Sequence, residues 1–201
     1  MLVIGITGPT GCGKTTLLQQ IERRGGYIVD CDALYYDLLR TDGALRAALM
    51  ESFGAVFCPD GSLDRKRLGT VVFSDPAQME TLNRIVFTHV RRAVETIRAR
   101  EKSAGTALLA IDAINLFQSG LAELCGTTVG VLAPEEVRLR RIMRRDGIER
   151  QYALLRIRAQ EPDGFYTARC AHILQNGEIS PEEFQIQANA LLENLIKENA
   201  T

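Results

Sequence analysis

The sequence is short of several things, and each shortage closes off a class of function. Its 24 Lys and Arg against 25 Asp and Glu leave a formal net charge of −1, so nothing draws the chain as a whole to nucleic acid or to an anionic membrane surface. No apolar run approaches the roughly 20 residues of a membrane span. The chain opens on an apolar run without a basic leader, which gives no sign of secretion. Its five cysteines (Cys12, Cys31, Cys58, Cys125 and Cys170) are scattered and never spaced C-x-x-C. That pattern indicates neither a disulfide framework nor a zinc site and fits reduced thiols in a cytoplasmic protein. Repeats and low-complexity segments are absent. Histidine occurs only as His89 and His172, each beside or within apolar residues, where a hydrogen-bonded structural role is the commoner one. What remains, 46% apolar and 24% charged over 201 residues, is an ordinary globular composition, long enough for one core with an inserted subdomain.

What is present concentrates near the start. Gly8-Pro9-Thr10-Gly11-Cys12-Gly13-Lys14-Thr15 fits G-x-x-x-x-G-K-[ST] at every fixed position. The apolar run Leu2–Ile6 leads in and the helix-like Thr15–Ile21 leads out. Glycines at 8, 11 and 13 permit positive φ, so successive N–H groups can converge on phosphate oxygens. A helix starting near Gly13 aims the positive end of its dipole at the same point. Lys14 supplies a full charge for the outer phosphates, and the Thr15 hydroxyl suits Mg²⁺. With Cys12 and Thr16 these residues form an expected nucleoside triphosphate site. A glycine-rich turn that fits by accident would not also sit between a buried strand and a helix. Cys12, among backbone donors near a helix start, has two readings: a favoured thiolate or inert packing.

Further along, the first helix should end near Arg24 at Gly25-Gly26. Tyr27–Asp30 reads as a second buried strand running into Asp30-Cys31-Asp32. If that segment stays extended, the two carboxylates share a face at the carboxyl end of a strand, where open α/β sheets hold ligands. Asp32 then reads either as an acceptor-site base or as a helix cap, with Asp30 solvated. Residues 33–100 read as mostly helical, punctuated at Gly54, Pro59-Asp60-Gly61 and Ser74-Asp75-Pro76. Asp75 and Pro76 should open a long helix with an apolar stripe at Met79, Leu82, Val86, Val90, Ala93 and Ile97. So much helix between two strands predicts a helical subdomain suited to an acceptor pocket. Asp64-Arg65-Lys66-Arg67 within it either faces an anionic substrate or is a solvated helix face.

Ala107–Asp112 is an apolar strand ending in a carboxylate, the form of a second nucleotide-site motif whose aspartate orients Mg²⁺. Thr128–Leu132 is the next strand, and Pro134-Glu135-Glu136 opens a helix carrying Arg138, Arg140, Arg141, Arg144 and Arg145. Positions 138, 141 and 145 fall on one face. The series reads as a nucleic-acid patch, which the acidic balance elsewhere opposes, as a solvated face, or as a lid neutralising phosphate in transfer. Asp146-Gly147 would be its hinge. Ala171–Gln175 should be the last strand with Asn176-Gly177 as its turn. Ser180-Pro181-Glu182-Glu183 is a capping box opening a final helix buried through Phe184, Ala188, Leu191, Leu192 and Leu195.

Taken in order, G-P-T-G-C-G-K-T-T at 8–16, V-D-C-D at 29–32, D-G-S-L-D-R-K-R-L at 60–68, the Asp112 segment, R-R-I-M-R-R-D at 140–146 and R-I-R-A-Q at 156–160 resemble the dephospho-coenzyme A kinase family over nearly the whole chain. The resemblance implies an α/β fold: a three-layer α/β/α P-loop kinase core with a parallel sheet, a helical substrate-binding insert and an arginine-bearing lid. It implies a single domain with core segments at about 1–32, 105–135 and 170–201, the insert at about 33–104 and the lid at about 136–169. It further implies transfer of phosphate from ATP, with Mg²⁺, to the ribose 3′-hydroxyl of dephospho-CoA. By matched position Asp32 becomes the base or orienter and Arg141 the lid arginine, joining Lys14 as the catalytic set. Arg65 becomes a substrate contact beside Asp32, while Thr15 and Asp112 form the metal pair. The chain departs from the family at Phe87-Thr88, where His-Pro is usual, and at Gln118, where an acid is usual. It also departs at Ala171–Asn176. Two other readings stand beside this one: a P-loop kinase for another small hydroxyl acceptor such as a nucleoside or nucleotide, and an ATP-binding regulatory protein without turnover. Intact Lys14, Asp32 and Arg141 oppose the latter.

Overall fold

The computed structural model describes residues 1–199; the last two positions of the expected 170–201 core segment lie outside the described residues. Strand β1 (Leu2–Thr7) is buried along its whole length, as an apolar run must be when both its faces are covered. It pairs with β3 (Leu108–Asp112) on one side and β4 (Thr127–Leu132) on the other. Strands β2 (Tyr27–Asp30) and β5 (His172–Gln175) take the edges. The order is β2-β3-β1-β4-β5, parallel throughout. The chain leaves β1 towards one edge and later fills the other, so the crevice at the carboxyl end of β1 is a switch point of the kind that binds ligands in such sheets.

Helices cover both faces. On one, Leu17 and Ile21 of α1 (Lys14–Arg23) and Phe184, Ala188, Leu192 and Leu195 of α9 (Pro181–Asn199) pack with Ile4, Ile6 and Val131. On the other, Val90 and Val94 of α5 (Pro76–Ser103) meet Val3, Leu109 and Ile111, with Tyr35 and Leu38 of α2 (Cys31–Thr41) alongside. The result is a three-layer α/β/α sandwich. Helices α2, α3 (Gly43–Phe53), α4 (Arg65–Val72) and α5 also share an apolar cluster with no strand residue in it, centred on Leu45, Leu49, Phe53, Leu68 and Val72. Helix α6 (Glu135–Asp146) packs on α7 (Arg150–Arg158) through Leu139, Ile142, Ala153 and Ile157, and the five-residue α8 (Asp163–Thr167) follows.

The boundaries obey local chemistry. Asp75 accepts the Ala77 amide at 2.9 Å with Pro76 as the first residue of α5. Ser180 and Glu183 exchange reciprocal bonds of 2.8 and 3.1 Å at the start of α9. In the stripe of α5, Val94 rather than Ala93 is wholly buried, because the helix rolls its larger side chain under the sheet. The segment after β2 differs from the extended reading. Helix α2 begins at Cys31, so Asp32 lies in its first turn, and the cap is Asp30 rather than Asp32. Four orphan amides at a helix start recruit the nearest carboxylate preceding them, and Asp30 stands there.

Candidate active site

Strand β1 delivers the phosphate loop into the crevice. Thr7 Oγ1 donates to the Ile114 carbonyl at 3.1 Å, pinning the loop's first turn to the segment after β3. Gly8 has φ +139°, and a Cβ there would run into the Val131 carbonyl. Gly13 has φ +98° and begins α1 without a side-chain cap, so the first-turn amides are left for an anion. A Cβ at Gly13 would strike the Asn176 carboxamide. Lys14 folds back so that Nζ donates to the Gly8 carbonyl at 3.0 Å.

These residues wall a cleft of about 530 Å³. Of the expected nucleotide contacts, Gly11, Cys12, Gly13, Lys14 and Thr15 line it; Gly8 is the acceptor for Lys14, and Thr16 follows Thr15 in the first turn of α1. Asp32 and Asp112 close the cleft from the ends of the neighbouring elements, and Arg141, Arg144 and Arg145 close it from α6. The parallel register sets Asp112 beside both Ile6 and Asp30, which is why three carboxylates gather at one strand edge. Burial pushes the Asp112 carboxyl up to about 6, against the pull of Lys14 and with added repulsion from Asp30 and Asp32. Its Oδ1 is buried with no hydrogen-bond partner. Partial burial and the Asp30 charge likewise raise the Asp32 carboxyl above its usual range, with Lys14 opposing.

A second cavity of about 240 Å³ opens against the first, walled by Tyr35, Val86, Phe87, Val90 and Leu121. Asp32 and Ile114 line both. Phe87, one of the departures from the family pattern, therefore lies in the wall of the cavity beside the phosphate cleft. Gln118, another, donates to Glu161 at 3.2 Å at a separate hollow beyond α7.

The arginine face differs from the one expected. Arg138 is 5% exposed and turns away to Asp163 at 3.5 Å, and Arg144 takes its place in the cleft wall. Positions 141, 144 and 145 satisfy helical spacing as well as 138, 141 and 145 do; packing against the loop decides between them. Arg141 donates from Nη1 to the Gly11 and Cys12 carbonyls, each at 3.3 Å. Asp146 pairs with Arg145 at 2.7 Å and Arg156 at 2.6 Å, so beside the expected hinge α6 and α7 are tied together. Gly147 ends α6 with φ +64°.

Other expectations resolve on contacts. Burial raises the Cys12 thiol, and the residue is 1% exposed, so packing replaces the thiolate reading: loss of water outweighs the nearby amides. His89 pairs with Asp42 at 2.7 Å, away from the cleft. Arg65 also lies outside the cleft; its guanidinium sits 4.7 Å over the Tyr36 ring and donates to that hydroxyl at 3.3 Å. Two residues that lie in segments matching the family pattern but were given no role reach the loop across the chain. Gln160 accepts the Thr10 amide at 2.9 Å. Asn176, expected to be only a turn, is 5% exposed and touches both the loop and Arg141.

Comparison with known proteins adds a family to this geometry. The dephospho-CoA kinase family model matches residues 2–181. The dephospho-CoA kinase of Anaeromyxobacter dehalogenans is 37% identical over 196 residues, 97% of this chain and 92% of its own. Among solved structures, TT1252 from Thermus thermophilus matches with a TM-score of 0.79 and 32% identity, covering 96% of this chain and 97% of that one. Shikimate kinase from Bacteroides thetaiotaomicron shares the fold at a TM-score of 0.54 and 16% identity, over 96% of this chain and 98% of its own.

Proposed function

The chain belongs to the dephospho-CoA kinase family, and we propose that it transfers the γ-phosphoryl group of ATP to the ribose 3′-hydroxyl of dephospho-CoA, releasing CoA and ADP as the last step of CoA synthesis. The observation that carries this reading is the place of Asp32, which lines both the phosphate cleft and the adjoining cavity. A hydroxyl held in the second cavity would meet a phosphate held in the first beside that carboxylate.

Each residue has a part. The amides of Gly11 to Thr15 and the Lys14 ammonium hold the polyphosphate. Asp32 orients the attacking hydroxyl and takes its proton as the new P–O bond forms and the bond to the ADP oxygen breaks; its raised pKa suits it to that transfer. Arg141, with Arg144 and Arg145, spreads positive charge over the transferred group. Little covalent chemistry is asked of the protein, so positioning and charge supply the rate. The unpartnered Asp112 Oδ1, in a cleft that also holds Thr15, fits a Mg²⁺ site. Bound there, the ion would neutralise phosphate charge.

The helical segment 33–104 is the part that receives the acceptor, with Arg65 on Tyr36 as a contact at its rim. Segment 136–169 is the lid, and the remainder is the nucleotide core. No helix among the described residues is long and apolar enough to cross a membrane. A cytoplasmic location is part of the proposed reading, and the free cysteines support it. Incubating the purified chain with ATP, Mg²⁺ and dephospho-CoA should give CoA and ADP, identified by mass. Because Phe87 lines the acceptor cavity, nucleosides and nucleotides belong in the same assay. Turnover of one of them without turnover of dephospho-CoA would move the assignment to that acceptor.

A further inference from the structure

A phosphate loop that turns its amides towards an anion must turn carbonyls the other way, and buried carbonyls need donors. Behind the loop that donor is Asn176. It follows β5 directly and is fixed by its own amide, which donates to the Leu132 carbonyl at 2.7 Å. Its Nδ2 donates to the Cys12 carbonyl at 2.8 Å, and its Oδ1 accepts from Arg141 Nη2 at 3.1 Å. Arg141 Nη1 reaches the Gly11 and Cys12 carbonyls, so loop, carboxamide and guanidinium close a ring. Both ends of a 5%-exposed side chain are therefore committed, one to the loop and one to the arginine that faces the phosphates.

We propose that Asn176 is a positioning residue for phosphoryl transfer: it fixes the Cys12 peptide so that the loop amides converge, and it orients the guanidinium of Arg141 over the transferred group. Oδ1 can only accept and Nδ2 can only donate, so the amide holds a single orientation and the Arg141 fork is aligned by it. Asn176 touches neither substrate nor reacting atoms; it acts through the other two. The inference rests on the ATP-dependent reading of the cleft given above.

The test is a cycle of variants in the full chain: Asn176→Ala, Asn176→Ser, Arg141→Lys and the double Asn176→Ser/Arg141→Lys. Asn176→Ser keeps the backbone bond to Leu132 and should fold. Equilibrium binding of ATP, kcat, both KM values and thermal midpoints are measured for each. Losing alignment should lower kcat/KM for ATP by about tenfold to a hundredfold, leaving KM for dephospho-CoA in place. The double variant should be little worse than the poorer single one, because each removes the same arrangement. Losses that multiply, or Asn176 variants with unchanged kcat/KM, would overturn the proposal. So would a loss explained wholly by a smaller folded fraction, with activity per folded molecule retained. If the unaltered chain leaves dephospho-CoA untouched, the acceptor assignment fails. Weaker equilibrium ATP binding in the Asn176 variants, not compounded in the double variant, then still shows that Asn176 and Arg141 hold the loop as one arrangement, and unchanged binding would overturn that.

Discussion

Asp30 holds Asp32 at the mouth of the cleft. One carboxylate oxygen of Asp30 accepts the amide of Asp32 at 3.0 Å and that of Ala33 at 2.9 Å, so the residue that ends β2 caps the helix that carries its neighbour. Its charge also raises the Asp32 carboxyl. Asp30→Ala should accordingly do two separable things. Losing the cap should cost about 1 kcal/mol of stability, read as a lower denaturant midpoint. Losing the charge should move the acid limb of the kcat/KM profile to lower pH, because Asp32 would ionise more easily. A limb that stays in place would show that another group sets it.

Asp112 gives a prediction with a definite sign. Its folded-state value of about 6 lies above the ordinary 3.8, so the folded chain binds more protons between those values and loses stability as pH rises through them. Asp112→Asn removes that loss. The variant should be the more stable at pH 7, by on the order of 1–3 kcal/mol. The advantage should shrink as pH falls and vanish below about pH 3, where the carboxyl is protonated in the folded and unfolded chain alike. If the orphaned oxygen is a ligand of Mg²⁺, the ion should raise the thermal midpoint of the unaltered protein and leave that of the variant where it is. A variant that gains nothing at pH 7 would remove the basis for the shift.

Arg65 stands outside the phosphate cleft, stacked on Tyr36. Its proposed place is with the acceptor. Arg65→Ala should raise KM for dephospho-CoA by about tenfold, the scale of one charged contact, with KM for ATP unchanged. Equal rises in both would place its effect on the fold instead.

How far the sequence could be read follows from what each signal encodes. The phosphate loop was legible because its glycines meet steric demands that no other residue satisfies, as Gly8 against Val131 shows. The parallel sheet was legible because strands covered on both faces must be largely apolar, as Leu2 to Ile6 of β1 are. Helix starts at Asp75 and Ser180 were legible because capping is local. Tertiary choices were not. Which carboxylate caps α2, and whether Arg138 or Arg144 faces the cleft, depends on how α2 and α6 dock. Asn176 and Gln160 meet the loop across separations of 164 and 150 residues, and a turn residue looks the same in sequence whether it meets solvent or a buried carbonyl.

The account turns on Asp32 joining the two cavities, and Asp32→Asn tests it most directly, since the amide keeps the shape and loses the charge. Steady-state kinetics with ATP and dephospho-CoA should show kcat reduced on the order of 10²-fold, as removal of a general base does, with ATP binding retained. An Asp32→Asn protein that turns over at the unaltered rate would contradict it.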